Sequence, residues 1–239
     1  MSGRYALTVT AAQLQDAFPE LTFPEALLPR LVARYNIAPT ANVPVVTNEG
    51  GKTVEFMRWG LIPHWAEDPK KIKETHNTRA ETAASKPTFR EPFRSRRCLL
   101  LADSYYLWAA FNDAGRTRAF IFRIMMKTGE PFAFAGLWDE WRSPQGEVTR
   151  SASMLTTVGN QMILGLNPHY RMPVILKRSD HALWLDPLPK TPQELAPLLT
   201  PYPAEHMTMY PVTDLVNSAA NDHSAVIEPR PKDKNPFAQ

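Results

Sequence analysis

The chain has a single cysteine, Cys98, in 239 residues. One thiol excludes an internal disulfide and any thiolate-rich zinc site. Set in the apolar run Cys98-Leu99-Leu100-Leu101, it reads as an inert core thiol. Five of the six histidines (His64, His76, His181, His206 and His223) lack the partner spacing of a metal site or a catalytic triad, so no metal is expected. There is no glycine-rich phosphate loop or dinucleotide fingerprint, so no small-molecule cofactor is expected. No internal repeat is present. No stretch approaches the roughly 18 apolar residues of a membrane span, and the start lacks the charged-then-apolar order of a secretory leader. These absences point to a cytoplasmic protein with no membrane partner.

An apolar fraction of 44% is ordinary for a chain with a sizeable core, and the length favours one domain, 1–229. The polar, proline-rich end Glu228-Pro229-Arg230-Pro231-Lys232-Asp233-Lys234-Asn235-Pro236 predicts a disordered tail over 230–239. Proline, at 23 residues, is about twice as common as the usual roughly 5%, which disfavours long helices. Thr10-Ala11-Ala12-Gln13 has the form of a capping box opening a helix through Phe18, which Pro19 closes; Thr191-Pro192-Gln193-Glu194 opens another through Leu199. Between them, Leu99 to Phe111, Arg118 to Met126, Pro131 to Trp141 and Ser151 to Thr157 read as strands. Turn chemistry separates them at Asp113-Ala114-Gly115, Thr128-Gly129 and Ser143-Pro144-Gln145-Gly146. Consecutive strands with short turns predict antiparallel hairpins in an α+β architecture.

The net charge of +3 does not by itself establish a polyanion partner. Its distribution is uneven: Lys86, Arg90, Arg94, Arg96 and Arg97 fall close together against the single acid Glu91. A solvated basic face and a nucleic-acid surface both fit. Phe89 and Phe93 interleave with the cations, which adds weight to phosphate contacts at Arg90 and Arg94.

Five ordered segments carry a resemblance. They are Arg34-Tyr35-Asn36-Ile37-Ala38-Pro39-Thr40, Trp59-Gly60-Leu61-Ile62-Pro63-His64-Trp65, Asn77-Thr78-Arg79-Ala80-Glu81-Thr82, Arg97-Cys98-Leu99-Leu100-Leu101-Ala102-Asp103 and His169-Tyr170-Arg171-Met172-Pro173-Val174-Ile175-Leu176. In this order they resemble the SRAP family, the SOS-response-associated peptidases, which crosslink to abasic sites in DNA. The resemblance extends from Gly3 to about Pro229 and implies a bifurcated or barrel-like, mainly antiparallel β-sheet flanked by short helices. It also implies a cysteine at position 2 whose α-amine and thiol together trap the abasic-site aldehyde as a thiazolidine.

Here position 2 is Ser2. Serine is small enough for Met1 removal, which leaves the amine, but an alkanol is a far weaker nucleophile than a thiolate at neutral pH. The family segment Ala-Asp-Gly-Phe/Tyr-Tyr-Glu-Trp appears as Ala102-Asp103-Ser104-Tyr105-Tyr106-Leu107-Trp108, so Leu107 replaces the proton-transfer glutamate. The resemblance gives Asn77 to the sugar, Arg79 to the adjacent phosphate and His169 to proton transfer. It assigns Gly3, Arg4, Asn36, Pro39 and Trp65 to DNA. The expected protein is a monomer that senses abasic sites in single-stranded DNA and joins the nucleoid when bound. Its amine forms at most an imine or weak crosslink. The alternatives are a catalytically inactive single-stranded-DNA-binding module and an N-terminal-serine peptidase using Ser2 and His169.

Overall fold

The computed structural model describes residues 3–72, 75–113 and 116–231. Thirteen strands follow in order: β1 (Tyr5–Leu7), β2 (Arg34–Ile37), β3 (Asn42–Thr47), β4 (Val54–Trp59), β5 (Asn77–Arg79), β6 (Arg97–Ala102) and β7 (Ser104–Asp113), then β8 (Arg116–Met126), β9 (Phe132–Arg142), β10 (Val148–Val158), β11 (Arg171–Pro173), β12 (Ile175–Leu176) and β13 (Met207–Val212). The α-helices are short: α1 (Ala11–Ala17), α2 (Ala80–Ala83), α3 (Arg90–Ser95), α4 (Gln161–Leu164), α5 (Arg178–Trp184) and α6 (Pro192–Leu195). None of these is long and apolar enough to cross a membrane among the described residues.

Five strands close on themselves. β3 pairs antiparallel with β4 and β6, β6 with β9, and β9 with β10, and β10 returns to β4 through a parallel pairing of Ser151 with Arg58. A closed barrel leaves no free edge to satisfy. β12 extends β9, while β5 and β11 flank the far end of β10. A second, antiparallel sheet runs β13-β8-β7-β1-β2 and shares one large apolar cluster with the barrel. The result is the α+β, barrel-like and mainly antiparallel architecture expected.

Local packing explains the closure. Every residue of β6 is buried. Opposite Cys98 stands Gly136, where an added Cβ would lie 2.2 Å from Leu100 Cδ1 and 3.1 Å from the Ser153 carbonyl. Only glycine lets the strands approach so closely there.

The single strand expected over Leu99 to Phe111 is two strands in two sheets. The break is Asp103, a buried carboxylate that accepts from the Thr8 amide, the Thr8 hydroxyl at 2.6 Å, the Ser104 hydroxyl at 2.7 Å and Arg123 at 3.2 Å. Apolar alternation cannot register a chain leaving one sheet for another. Likewise β7–β8 and β9–β10 are hairpins, as expected, but β8 and β9 belong to different sheets across Thr128-Gly129. Of the expected turn Asp113-Ala114-Gly115, the last two residues lie outside those described.

Both capping boxes form. Thr10 Oγ1 accepts from the Gln13 amide at 3.2 Å while Gln13 Oε1 accepts from the Thr10 amide at 2.8 Å, and α1 stops before Phe18. Thr191 and Glu194 repeat the arrangement, but the helix tightens into a 3-10 turn at Ala196–Leu198. At the end of the chain, Arg230 is docked: its amide donates to the Pro211 carbonyl at 2.8 Å and its guanidinium lies 5.1 Å over Phe120. Arg230, the first residue of the expected tail, thus packs against the fold, and residues 232–239 lie outside those described.

Candidate functional site

The start of the chain is anchored by aromatic packing. Tyr5 stands edge-on to Trp59 at 5.0 Å and to Phe134 at 5.7 Å. Trp59 in turn donates from Nε1 to the His76 carbonyl at 2.8 Å, and the same carbonyl accepts from the Met154 amide at 2.9 Å. Two links, the Tyr5–Trp59 ring contact and the Trp59–His76 hydrogen bond, thus connect Tyr5 to the residue before Asn77. β5 then runs parallel to β10, pairing Asn77 with Met154 and Arg79 with Thr156. Thr78 is fixed by a 2.8 Å bond between its hydroxyl and that of Ser153.

On the opposite edge of β10, Thr156 pairs with Pro173 and Val158 with Arg171. Arg171 clamps the two edges. Its Nη2 donates to the Thr156 carbonyl at 2.8 Å and to Glu81 Oε2 at 2.7 Å, just beyond Arg79. Burial works against the Glu81 carboxylate, but the Arg171 bond and the nearby Arg79 charge outweigh it and hold its pKa below the ordinary value. Arg79 is exposed, and its side chain makes no hydrogen bond or ion pair among the described residues. His169 is also exposed, two residues before β11, with its amide tied to Asn167 Oδ1 at 2.9 Å.

β7 supplies the remaining wall. Tyr5 pairs with Tyr105, and the Tyr106 amide donates to the Arg4 carbonyl at 3.1 Å. Continuing that register carries Leu107 alongside Gly3. Leu107 is 3% exposed and belongs to the main apolar cluster. Where a carboxylate would offer a proton, this wall offers only hydrocarbon. A Cβ added at Gly3 meets nothing within 4 Å. Arg4 reaches the Asn217 carbonyl at 3.4 Å. Ser2 lies outside the described residues.

The other expected contacts divide. Trp65 is 50% exposed although its loop is firmly held: His64 bonds Asp139 through both its amide and Nδ1 at 2.9 Å, and Trp141 Nε1 donates to the Ala66 carbonyl at 2.6 Å. Pro39 is half-buried beside Thr40, whose φ is 76° and whose amide donates to the Trp59 carbonyl. Asn36 is different. It is buried, and its Nδ2 donates to the carbonyls of Val216 at 3.2 Å, Ser218 at 2.9 Å and Asn221 at 2.9 Å. Its amide is a staple for the 216–222 segment and is not presented to a ligand.

The basic run also divides. Arg90 and Arg94 are exposed one turn apart on α3, and Lys86 is exposed. Arg96 is paired with buried Asp139. Arg97 is wholly buried and donates to the carbonyls of Trp184 at 2.9 Å, Asp186 at 2.6 Å and Leu188 at 3.0 Å. Cys98 is buried as expected, and burial drives its thiol pKa well up. No group of three or more metal-ligating side chains occurs among the described residues.

Sequence reasoning missed Asp222, which accepts from Arg34 and from the amides of Tyr35 at 2.5 Å and Asn36 at 3.0 Å. No spacing signal links residues 186 apart. Glu81 and Arg171 lie inside the motif segments, but no spacing links them; their interaction exists only because β10 brings the two segments together.

Three comparisons bear on this geometry. Over 195 residues the chain is 40% identical to "Abasic site processing protein YoqW" of Bacillus subtilis, covering 81% of this chain and 85% of that one. It is 36% identical over 230 residues to "Abasic site processing protein YoaM" of the same organism, covering 95% and 98%. A crystal structure of a protein from Bacteroides thetaiotaomicron superposes with a TM-score of 0.83 at 26% identity, covering 95% of this chain and 99% of that one. With the model for "SOS response associated peptidase (SRAP)" matching residues 1–219, the chain belongs to the SRAP family.

Proposed function

We propose that this protein processes DNA damage by recognising abasic sites in single-stranded DNA, and that its own chemistry stops at a reversible imine or weak crosslink. The observation that carries this reading is the convergence of the chain's start, the Asn77–Arg79 strand and the Arg171 strand around one end of β10. The printed names of YoqW and YoaM support the damage class.

With Met1 removed, Ser2 lies three residues from anchored Tyr5, a reach of at most about 10 Å. Its α-amine, with a pKa of roughly 7.7–8.0, is substantially neutral near pH 7.5. The amine nitrogen attacks the ring-opened sugar aldehyde, and loss of water gives the imine. Closing a five-membered ring then falls to a hydroxyl, which is a weak nucleophile, with Leu107 in place of a proton donor. In this reading Asn77 holds the sugar, Arg79 grips the adjacent phosphate, and His169 moves the proton that opens the ring. Gly3 leaves room for the sugar, Arg4 adds charge, and Trp65 stacks on a neighbouring base beside Pro39. Arg90 and Arg94 take more distant phosphates. Residues 1–229 act as one monomeric unit, in the cytoplasm where DNA is reached.

The test is incubation with single-stranded DNA carrying one abasic site, with and without borohydride, after intact mass has established removal of Met1. An adduct that survives denaturation only after reduction supports the imine. Affinity without any adduct makes the protein a binding module, and no preference for abasic over intact DNA overturns the proposal.

A further inference from the structure

Arg58 is a half-buried cation that no carboxylate holds. It lies in β4, opposite Asn42 of β3 and level with Ser151 of β10. Met57 and Trp59 belong to the main apolar cluster, while Arg58 between them stays half-buried on the outer side, as strand alternation dictates. Its side chain bends along its own strand, and Nη1 donates to the Gly60 carbonyl. Gly60 has a φ of 135°, and a Cβ there would lie 2.8 Å from Arg58 Nη1. A side chain at position 60 would therefore be strained and would push the guanidinium aside.

Arg34, Arg96, Arg150, Arg171 and Arg230, also half-buried, each pair with a carboxylate. Arg58 pairs with none among the described residues. The carboxylate at its level, Asp139 opposite Ser151, is taken by His64 and Arg96. Burial lowers the Arg58 pKa, and no acid offsets that cost. The guanidinium stays charged even so, and beyond the bond to Gly60 its N–H donors are uncommitted among the described residues.

The position of this cation gives it a role. β4 and β5 follow one another along one edge of β10, Arg58 level with Ser151 and Asn77 level with Met154, so the two stand about 10 Å apart. Arg58 is also at the root of the loop that carries Trp65, which is tied to β10 where the Ile62 amide donates to Ser151 Oγ at 2.8 Å. On the β3 side, exposed Thr40 is held with a φ of 76° by the 2.7 Å bond from its amide to the Trp59 carbonyl. A β-branched residue rarely adopts such a backbone, and strain of this kind collects at binding sites. A planar fork of charged donors suits an acceptor that is itself charged and bidentate, which a phosphate is. We propose that Arg58 grips a backbone phosphate of the bound single strand, between the abasic sugar at Asn77 and the base on Trp65.

This contact rests on the DNA-binding reading above. The test measures binding of the full chain to single-stranded DNA, intact and with one abasic site, by fluorescence anisotropy over a range of salt concentrations. Arg58→Gln keeps an N–H for the Gly60 carbonyl and removes the charge. It should melt like the parent, bind both strands about tenfold more weakly and reduce the log–log salt slope by about 0.7, the share of one single-strand phosphate. Arg58→Lys should keep the parent's slope and recover part of the affinity, because it holds the charge without the fork. Unchanged affinity and slope in Arg58→Gln overturn the contact and leave the DNA reading standing. A weaker Arg58→Gln with the parent's slope, or with a Tm fall that accompanies the lost affinity, makes Arg58 a residue of the fold and also overturns it. A parent that binds neither strand overturns the DNA reading, and the contact with it.

Discussion

Asn36 separates a structural role from a DNA contact, because the two make opposite demands on its amide. In the fold, Nδ2 satisfies the carbonyls of Val216, Ser218 and Asn221, and Asp222 receives the backbone amides of Tyr35 and Asn36. Asn36→Ala removes the two N–H donors that three carbonyls share, at about 1 kcal/mol each, and strands the buried Val216 carbonyl, for a loss of about 2–3 kcal/mol. For a chain of this size that is roughly a 4–12 °C fall in Tm. Asn36→Asp is nearly isosteric and should be worse, since it points an acceptor at three acceptors. Burial raises the pKa of the introduced carboxyl above its unfolded value, so the folded state binds more protons and the deficit grows as pH rises through that window. Thermal melts at pH 4.5 and 7.5, paired with single-stranded-DNA affinity well below Tm, read both effects. An Asn36→Ala variant that melts like the parent but has lost DNA affinity would refute the reasoning, as would an Asn36→Asp variant more stable than Asn36→Ala.

Arg97→Met should cost about 3–5 kcal/mol by urea unfolding, because the buried carbonyls of Trp184, Asp186 and Leu188 lose their donor; a change under about 1 kcal/mol would mean that water replaces it. Trp65→Ala should leave Tm nearly unchanged, since half the residue faces solvent, yet weaken single-stranded-DNA binding by about 1–3 kcal/mol; unaltered affinity removes the stacking role. Glu81, held below the ordinary carboxylate pKa by Arg171, contributes stability above that value that is lost as pH falls through the folded one. Arg171→Met should raise the Glu81 pKa in an NMR titration and flatten the acid limb of the stability curve; an unmoved Glu81 titration would show that the pair is not what holds the carboxylate down.

What the sequence made legible was local. Both capping boxes are confined to four residues and form as read, and the β9–β10 hairpin follows from two alternating runs and a turn. What it hid was partnership. β6 and β7 read as one run because only Asp103 interrupts the apolar pattern, and its meaning depends on Thr8 and Arg123, which are remote in the chain. The basic cluster over 86–97 was visible as composition, but whether each cation faces solvent or carbonyls depends on α5 and Asp139. Charge spacing alone treats Arg94 and Arg97 alike, although one is exposed and the other has no accessible surface.

Leu107 joins both kinds of evidence. The motif marks it as a departure, and the β1–β7 register gives that departure a physical consequence by carrying it alongside Gly3 in a sealed, apolar wall. A carboxylate at such a position must be desolvated, a cost of roughly 1–3 kcal/mol unless it is hydrogen-bonded. A site that closes a thiazolidine has use for that strained acid; a site whose second nucleophile is an alkanol has little to gain from it. On the proposed chemistry, a hydroxyl at position 2 leaves packing to decide position 107, and a buried strand sharing one cluster with Tyr105 and Phe122 favours leucine. That proposal therefore expects Ser2→Cys alone to recover less crosslinking than Ser2→Cys with Leu107→Glu, and equal recovery by the two variants would refute the coupling.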